Sequence, residues 1–216
     1  MTSHPQIKIC GTTSIHDAQM AQEAGADYLG IIVEHAPSPR NVSLAQAQSI
    51  ASAVSIPVVA VTVNKPLEEL LHLYKVLCPH AIQLHGDETA DLVQQLTQHG
   101  VRVWAAISGE HDEVLSRAQQ MREAGAETLV IDARLTTADG VIYGGSGQRS
   151  DWGAATMLVQ NSARLSLAGG LSPENVRQAI EFVQPHIVDV ASGVEASKGV
   201  KDRDKVLSFV RTARHG

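Results

Sequence analysis

Aromatic residues are scarce in this 216-residue chain, which contains two Trp, three Tyr and two Phe, or 3% of its residues. Basic residues are a minority as well, since 17 Lys and Arg stand against 23 Asp and Glu and leave a formal net charge of −6. Proteins that bind single-stranded nucleic acid stack its bases on aromatic side chains, and those that follow a phosphate backbone use Lys and Arg. The composition therefore argues against nucleic acid as a partner.

Cysteine and long apolar runs are equally scarce. The two cysteines, Cys10 and Cys78, are too few for a disulfide framework and lie in no Cys/His cluster with the spacing of zinc ligands. No run approaches the roughly 18 apolar residues of a membrane-spanning helix, and residues 1–5 are followed by Gln6 and Lys8 rather than by the apolar stretch of a signal peptide. The sequence therefore predicts a cytoplasmic protein with free thiols, no membrane contact and no metal site.

Apolar residues make up 44% of the chain, and they are arranged in short strands separated by helical stretches. Gly25, Gly100 and Gly125 each follow such a stretch, at the place where a left-handed C-cap is expected. Ser172 and Pro173 have the N-cap and first-turn chemistry of another helix start. Runs rich in β-branched residues predict eight strands, at 7–10, 28–33, 58–63, 81–84, 101–106, 128–132, 165–168 and 187–190.

Strands that are apolar throughout, rather than at alternate positions, indicate a parallel sheet buried on both faces. Eight β-then-α units in 216 residues match the lower size limit of a (β/α)₈ barrel. We therefore predict an α/β protein that folds as one TIM-barrel domain over residues 1–216. A doubly wound open sheet is the alternative, although no Gly-x-Gly-x-x-Gly follows the first strand.

The residues that close each predicted strand are the candidates for chemistry, because active sites of such barrels lie at the C-terminal ends of the strands. Cys10 closes the first strand and Asp132 the sixth. A thiolate accepts a proton and a carboxyl group sheltered from water donates one, so the two are a candidate base and acid. Each also has a structural interpretation, Cys10 as a small buried apolar residue and Asp132 as a loop cap. His85, after the fourth strand, is open to both interpretations too.

Glycine-rich segments follow the last three predicted strands. They are Gly144, Gly145, Ser146 and Gly147 in the sixth loop, Gly169 and Gly170 after the seventh strand, and Ser192 and Gly193 after the eighth. Glycine lets backbone N–H groups approach phosphate oxygens, and the seventh and eighth loops form the recurrent phosphate site of these barrels. We therefore expect a small phosphorylated molecule as the substrate.

A set of short motifs lies in register with the predicted strands, over nearly the whole chain. The motifs are residues 8–11 (Lys-Ile-Cys-Gly), 38–40 (Ser-Pro-Arg), 83–88 (Gln-Leu-His-Gly-Asp-Glu), Asp132, 144–147 (Gly-Gly-Ser-Gly), 168–171 (Ala-Gly-Gly-Leu), 188–190 (Val-Asp-Val), 192–195 (Ser-Gly-Val-Glu) and 199–202 (Gly-Val-Lys-Asp). In this order they resemble the motifs of the phosphoribosylanthranilate isomerase family. The resemblance implies an enzyme of tryptophan biosynthesis that converts N-(5-phospho-β-D-ribosyl)anthranilate to 1-(2-carboxyphenylamino)-1-deoxy-D-ribulose 5-phosphate. It also implies that this Amadori rearrangement, an aldose–ketose isomerisation, needs no cofactor and no metal.

The same resemblance implies a role for individual residues. Asp132 is the general acid that protonates the furanose ring oxygen and opens the sugar to a Schiff base. Cys10 is the general base that removes the proton from C2, and the two roles suit groups on opposite sides of the sugar. Arg40 binds the anthranilate carboxylate, for which a guanidinium fork is well suited. His85 and Asp189 line the site.

Three positions depart from the family pattern and leave the breadth of substrates open. The chain has Ile31 and Ser150 where phenylalanine is common, and Ala191 where serine is frequent. Two other functions stay in view, another cofactor-free aldose–ketose phosphate isomerase and a non-catalytic paralogue that binds a phosphorylated ligand. Arg40 disfavours the first, because without an anionic aglycone it has no partner. A pure binder needs neither the base nor the acid. The sequence is compatible with a monomer or a homodimer.

Overall fold

The structure is a computed structural model and describes residues 4–132, 134–137, 140–143, 150–161 and 163–215. Eight parallel strands in this part of the chain form a sheet that closes on itself, because the first strand pairs with both the second and the last. The predicted (β/α)₈ barrel is thus confirmed, and the open-sheet alternative is wrong. The barrel strands are β1 (Gln6–Ile9), β2 (Tyr28–Val33), β3 (Val58–Thr62), β4 (Ala81–Leu84), β5 (Val103–Ile107), β6 (Thr128–Ile131), β7 (Leu165–Leu167) and β8 (Ile187–Val190).

Helices follow the barrel strands and cover the outside of the sheet. The expected glycine caps are confirmed, since φ is +95° at Gly25, +78° at Gly100 and +99° at Gly125, values that cost glycine no steric strain. Ser172 does not cap a helix directly, because a turn intervenes and the next helix begins at Val176. The helices are α1 (Ile15–Glu23), α2 (Leu44–Ser52), α3 (Leu67–Leu77), α4 (Ala90–Gln98), α5 (His111–Glu123), α6 (Trp152–Gln160), α7 (Val176–Val183) and α8 (Arg203–His215).

Short additional strands lie beyond the carboxyl ends of three barrel strands, β2, β6 and β8. Asn41–Val42 extends the sheet beside β2, and Arg134–Thr137 pairs antiparallel with Gly140–Tyr143 in the loop after β6. Glu195–Ser197 and Val200–Lys201 form a second antiparallel pair before α8. The sequence analysis predicted none of these pairs, because two to four residues are too short for a recognisable apolar pattern. None of the helices in the described ranges is long and apolar enough to cross a membrane.

The barrel interior changes from apolar to polar along the strands. An apolar layer inside the barrel includes Tyr28, Trp104 and Ile187, and the Trp104 indole lies edge-on to the Tyr28 ring at a centroid distance of 5.2 Å. Inward positions recur every second residue of a strand. Two residues after Ile187, the inward position on β8 is Asp189, while Lys8 is the inward polar residue on β1, and both are buried. The apolar layer therefore closes the barrel below a polar mouth.

Candidate active site

The strand ends bring Cys10 and Asp132 to the same mouth of the barrel. Cys10 follows β1, where its N–H donates to Val190 O at 2.8 Å, and Asp132 follows β6, where its N–H donates to Ile107 O at 3.1 Å. Both side chains are nearly buried, since Cys10 is 9% exposed and the Asp132 side chain 10%. β6 lies three positions from β1 around the closed sheet. A thiol and a carboxyl group thus occupy well-separated arcs of one rim.

His85 links Asp132 to the barrel interior. His85 Nε2 lies 3.2 Å from Asp132 Oδ2, and Gln83 Nε2 lies 2.8 Å from His85 Nδ1. With the Gln83 amide as donor, the imidazole accepts at Nδ1, carries its hydrogen on Nε2 and donates it to Asp132. Gln83 is 1% exposed, so packing holds the amide in place. The carboxylate of Asp132 consequently has a fixed donor whenever it is ionised.

Lys8 and Asp189 form an ion pair inside the barrel, one layer deeper than Cys10. They are register partners on β1 and β8, and Nζ lies 2.6 Å from Oδ2, with side chains 0% and 5% exposed. Burial disfavours the ammonium, but Asp189 and Cys10 raise the pKa of Lys8 above its usual value. Within the described ranges, the buried Oδ1 of Asp189 has no hydrogen-bond partner. It is therefore a ready acceptor for a hydroxyl group, because leaving such an atom unpaired is costly.

Burial and the nearby lysines shift the pKa of the Cys10 thiol in opposite directions. Burial raises the pKa of Cys10 above its usual value, while the positive charges of Lys8 and Lys201 act in the opposite direction. Lys201 Nζ reaches the backbone of Cys10, donating to its carbonyl oxygen at 2.6 Å. The two lysines therefore oppose the cost that burial places on a thiolate.

Arg40 reaches the mouth but is already held by a carboxylate. Its Nε lies 2.7 Å from Glu195 Oε1 and its Nη2 2.8 Å from Glu195 Oε2. Lys201 Nζ shares Glu195 Oε1 at 3.1 Å. Burial alone would raise the pKa of Glu195, but Arg40 and Lys201 lower it below the usual value. Among the described residues, two of the five guanidinium N–H donors have an acceptor, and this pairing orients the group toward an anion.

The loops after β7 and β8, where the sequence predicts a phosphate site, pack against each other at Gly193 and Leu171. Gly169 and Gly170 adopt φ of +80° and +64°, and no acceptor for their backbone N–H groups is found among the residues that the structure describes. A Cβ at Gly193 would clash with the Leu171 carbonyl oxygen. Ser192 begins a single 3₁₀ turn, Ser192–Val194. The expected contributions of Gly144, Gly145, Ser146 and Gly147 lie outside the described residues.

The three departures from the family pattern have different surroundings. Ile31 is 0% exposed and packs in the apolar layer between strands and helices. Its side chain therefore packs between the sheet and the helices rather than at the mouth. Ser150 Oγ donates to Ala168 O at 2.7 Å and so fixes the end of the sixth loop against β7. Ala191 contributes its carbonyl oxygen to Lys201 Nζ at 3.1 Å.

The sequence analysis assigned no role to Lys8, Gln83, Glu195 or Lys201. A signal for the first two exists, because Lys8 and Gln83 are polar residues inside strands that are otherwise apolar. Glu195 and Lys201 stand in motifs that were recognised, yet nothing in their spacing shows that Lys201 and Arg40 share the Glu195 carboxylate. Both cysteines are free, as predicted, with Cys78 exposed beyond α3. Among the described residues, no group of three or more His, Cys, Asp and Glu side chains is placed to hold a metal ion.

Comparisons with known proteins agree with this geometry. Residues 7–212 match the family model described as N-(5'phosphoribosyl)anthranilate (PRA) isomerase. The N-(5'-phosphoribosyl)anthranilate isomerase of Acinetobacter calcoaceticus is 36% identical over 215 residues, covering 98% of this chain and 97% of the relative.

Two similar crystal structures each cover 97% of this chain and 98% of their own. One shows monomers generated from the dimeric phosphoribosylanthranilate isomerase of Thermotoga maritima, with a TM-score of 0.82 and 33% identity. The other shows a phosphoribosylanthranilate isomerase in complex with reduced 1-(o-carboxyphenylamino)-1-deoxyribulose 5-phosphate, with a TM-score of 0.81 and 32% identity.

Proposed function

Because the chain belongs to the N-(5'-phosphoribosyl)anthranilate isomerase family, it is an aldose–ketose isomerase of tryptophan biosynthesis, and we propose which residues carry its reaction. The enzyme converts N-(5-phospho-β-D-ribosyl)anthranilate to 1-(2-carboxyphenylamino)-1-deoxy-D-ribulose 5-phosphate. Substrate and product have the same atoms, so the site has to move protons and hold the intermediates. General acid and base groups placed on both sides of the sugar suffice for this chemistry.

Asp132 acts as the acid that opens the ring. The bond from C1 to the ring oxygen breaks with its electron pair on oxygen, which takes the proton from Asp132, while the nitrogen lone pair forms the C1=N bond. The carboxylate that remains accepts the hydrogen bond from His85 Nε2, 3.2 Å away. A donor fixed beforehand stabilises the charge as it develops. Its place at the mouth and this contact support the assignment.

Cys10 acts as the base in the second step. Its thiolate takes the proton from C2, the C–H electron pair becomes the C1=C2 bond, and the electrons of the C1=N bond return to nitrogen. The resulting enolamine tautomerises to the ketone. Support for this role comes from the position of the thiol across the rim from Asp132 and from the two lysines, Lys8 and Lys201, that act on it.

The substrate lies between an arginine and a phosphate cradle. The N–H groups of Arg40 that Glu195 leaves free bind the anthranilate carboxylate, and Asp189 Oδ1, buried without a described partner, accepts from a sugar hydroxyl. The phosphate binds at Gly169, Gly170, Ser192 and Gly193, with Gly144, Gly145, Ser146 and Gly147 completing the site. The seventh and eighth loops of barrels commonly have this role.

We also propose a cellular location and an oligomeric state. Free thiols at Cys10 and Cys78 suit a reducing compartment, and we place the enzyme in the cytoplasm, acting without a cofactor, nucleic acid or membrane. It folds as one domain over residues 1–216 and works as a monomer or homodimer. Light scattering on the purified protein distinguishes the two states, and cell fractionation tests the location.

One observation supports the mechanism above all: Cys10 and Asp132 lie at the same mouth of the barrel, and His85 Nε2 contacts the Asp132 carboxylate. Complementation of a tryptophan auxotroph that lacks this isomerisation tests it. The wild-type gene and a Cys78→Ala variant should restore growth, whereas Cys10→Ala and Asp132→Asn should not. Growth with both of the latter variants, expressed at wild-type levels, would show that the acid and base are other residues.

A further inference from the structure

The barrel encloses a lysine that neither transfers a proton nor binds the substrate in the proposed steps. Lys8 is 0% exposed and counts among the largest fully buried side chains. An ammonium ion is expensive to bury, and such groups are kept when they are paired or have a function. Its pairing with Asp189 at 2.6 Å accounts for how the charge is tolerated. The pairing does not account for the presence of a charged pair where the neighbouring layer is apolar.

Lys8 and Cys10 share one side of β1. Side chains two residues apart on a strand point to the same face, so both enter the barrel, with Lys8 one layer below the thiol. The positive charge of Lys8 lowers the pKa of Cys10, against the effect of burial. The lysine therefore approaches the sulfur from the side that faces the interior.

Gly30 on β2 makes room for both groups. The β1–β2 register pairs Lys8 with Tyr28 and Ile9 with Leu29, so Gly30 comes next, beside Cys10. A Cβ built on Gly30 would lie 2.5 Å from Cys10 Sγ and 3.0 Å from Lys8 Nζ. The sulfur and the ammonium thus converge on the space that any other residue would fill.

We propose that the ammonium of Lys8 stabilises the thiolate of Cys10 and thereby makes this cysteine a base. The inference rests on the proposed function, in which Cys10 removes the C2 proton. Lys8 acts on the substrate only through the sulfur, so it is a positioning residue. Its ammonium compensates the negative charge of the Cys10 thiolate, which the site must hold before the substrate binds.

The other charged groups near Cys10 have hydrogen-bond and ion-pair partners other than the sulfur. Lys201 donates to the Cys10 carbonyl oxygen, the Ala191 carbonyl oxygen and Glu195, which uses all three of its donors. Arg40 is held by Glu195. The negative charge of Asp189 raises the pKa of Cys10 and so disfavours the thiolate. Asp132 raises the pKa of Asp189, and His85 lowers it. Lys8 is therefore the cation whose ammonium lies, with the Cys10 sulfur, beside Gly30.

The two members of the buried pair should affect the thiolate with opposite signs. Removing the positive charge with Lys8→Met raises the midpoint of Cys10 ionisation. Removing the negative charge with Asp189→Asn lowers it, because Cys10, which also raises the pKa of Lys8, is then the anion that pairs with the ammonium. A purely structural disturbance would shift both variants in the same direction. This sign difference is the property to measure.

The experiment follows ionisation of Cys10 in a Cys78→Ser background, where it is the remaining cysteine. Ultraviolet absorbance of the thiolate is recorded against pH, and the rate of alkylation by iodoacetamide provides a second readout. Lys8→Met should reduce the thiolate fraction below the midpoint at least about tenfold, the factor of one pKa unit. Asp189→Asn should increase it. Lys65→Met removes a lysine paired with Glu69 at 2.8 Å, outside the barrel, and should leave the midpoint unchanged.

A double variant guards against loss of fold in Lys8→Met, in which Asp189 is left unpaired. Lys8→Met/Asp189→Asn removes both charges, and its midpoint compared with that of Asp189→Asn isolates the effect of Lys8. An unchanged midpoint in that comparison, or shifts of equal sign in the two single variants, would overturn the inference. The proposed function fails separately, if Cys10→Ala turns over normally while the midpoints shift as expected.

Discussion

Arg40 and Glu195, 155 positions apart in the sequence, are joined by two parallel hydrogen bonds of 2.7 and 2.8 Å at the mouth of the barrel. The stem of Arg40 packs over Gly11, directly after Cys10, at a place where a Cβ would clash with it. The pair therefore ties the loop after β2 to the loop after β8 and holds a guanidinium beside the proposed base. An oriented arginine loses less side-chain entropy when it binds a carboxylate.

Replacing Cys10 with alanine should abolish most turnover. Proton transfer by a positioned base contributes about 10²- to 10⁴-fold, so kcat should fall by that factor while product affinity is largely retained. Steady-state kinetics and product titration measure both quantities. Cys78→Ala is the matched control, since Cys78 is exposed, and its kinetics should equal the wild type. Near-normal turnover in Cys10→Ala would return Cys10 to the role of a packing residue.

Asp132→Asn should lower kcat by at least about 10²-fold, because an amide keeps the shape of the side chain but has no acidic proton to donate. His85→Ala should cost less, about 10- to 100-fold, the factor for losing one hydrogen bond of about 1.5–3 kcal/mol to a charged group. Turnover numbers with saturating substrate test both changes. An unchanged kcat in Asp132→Asn would transfer the acid role to another residue, with His85 the next candidate.

Arg40→Ala should weaken substrates that carry the ortho-carboxylate by about 1.5–3 kcal/mol, the contribution of one charged hydrogen-bonding contact. Competition by inorganic phosphate should not change, because the phosphate cradle belongs to other loops. Comparing the anthranilate substrate with an analogue that lacks the carboxylate provides the control, since the analogue should bind both enzymes equally. Equal losses for both ligands would mean that Arg40 does not occupy the carboxylate subsite.

Glu195→Gln should reduce the free energy of unfolding by about 3–5 kcal/mol, as expected when one partner of a buried ion pair is removed. The difference from wild type should depend on pH. Because the pKa of Glu195 is lowered in the folded state, its pairing stabilises the fold above the usual carboxyl range and is lost as pH falls through the folded-state value. Urea unfolding near neutral pH and in acid measures both effects.

The control for this variant is Glu181→Gln, which breaks a pair with Arg177 whose side chains are 63% and 62% exposed. Exposed pairs contribute about 0–1 kcal/mol, so unfolding should hardly change. A Glu195→Gln protein as stable as this control would show that Arg40 and Lys201 do not depend on Glu195. Unfolding in one cooperative transition is also expected of a single domain.

Gly193→Val should weaken inorganic phosphate as a competitive inhibitor and leave recognition of the carboxylate in place. The added side chain would meet the Leu171 carbonyl oxygen, so the loops after β7 and β8 must separate and misplace the N–H groups of the cradle. Inhibition constants for phosphate and for a free anthranilate-type acid measure the two ends separately. A loss of equal size for both compounds would count against the division into two subsites.

Local chemistry in the sequence determined the elements and the candidates for catalysis. β-Branched apolar runs predicted all eight barrel strands within two residues at either end, because such runs fit a sheet that is buried on both faces. Glycines at 25, 100 and 125 predicted the helix caps, because a left-handed residue is cheapest without a Cβ. Since strand ends of a barrel meet at one rim, position made Cys10 and Asp132 candidates, and the family resemblance supplied the roles of base and acid.

Only the tertiary structure decided which distant residues share a contact. The partners Lys8 and Asp189 are 181 residues apart, and their pairing exists because the sheet closes β1 against β8. The contacts of His85 with Asp132 and of Arg40 with Glu195 depend on the paths of the loops. The spacing of apolar residues along the chain does not specify those paths. Side-chain spacing along a chain specifies faces of strands and helices. Contacts across the barrel mouth follow from closure, which brings together residues that the sequence keeps far apart.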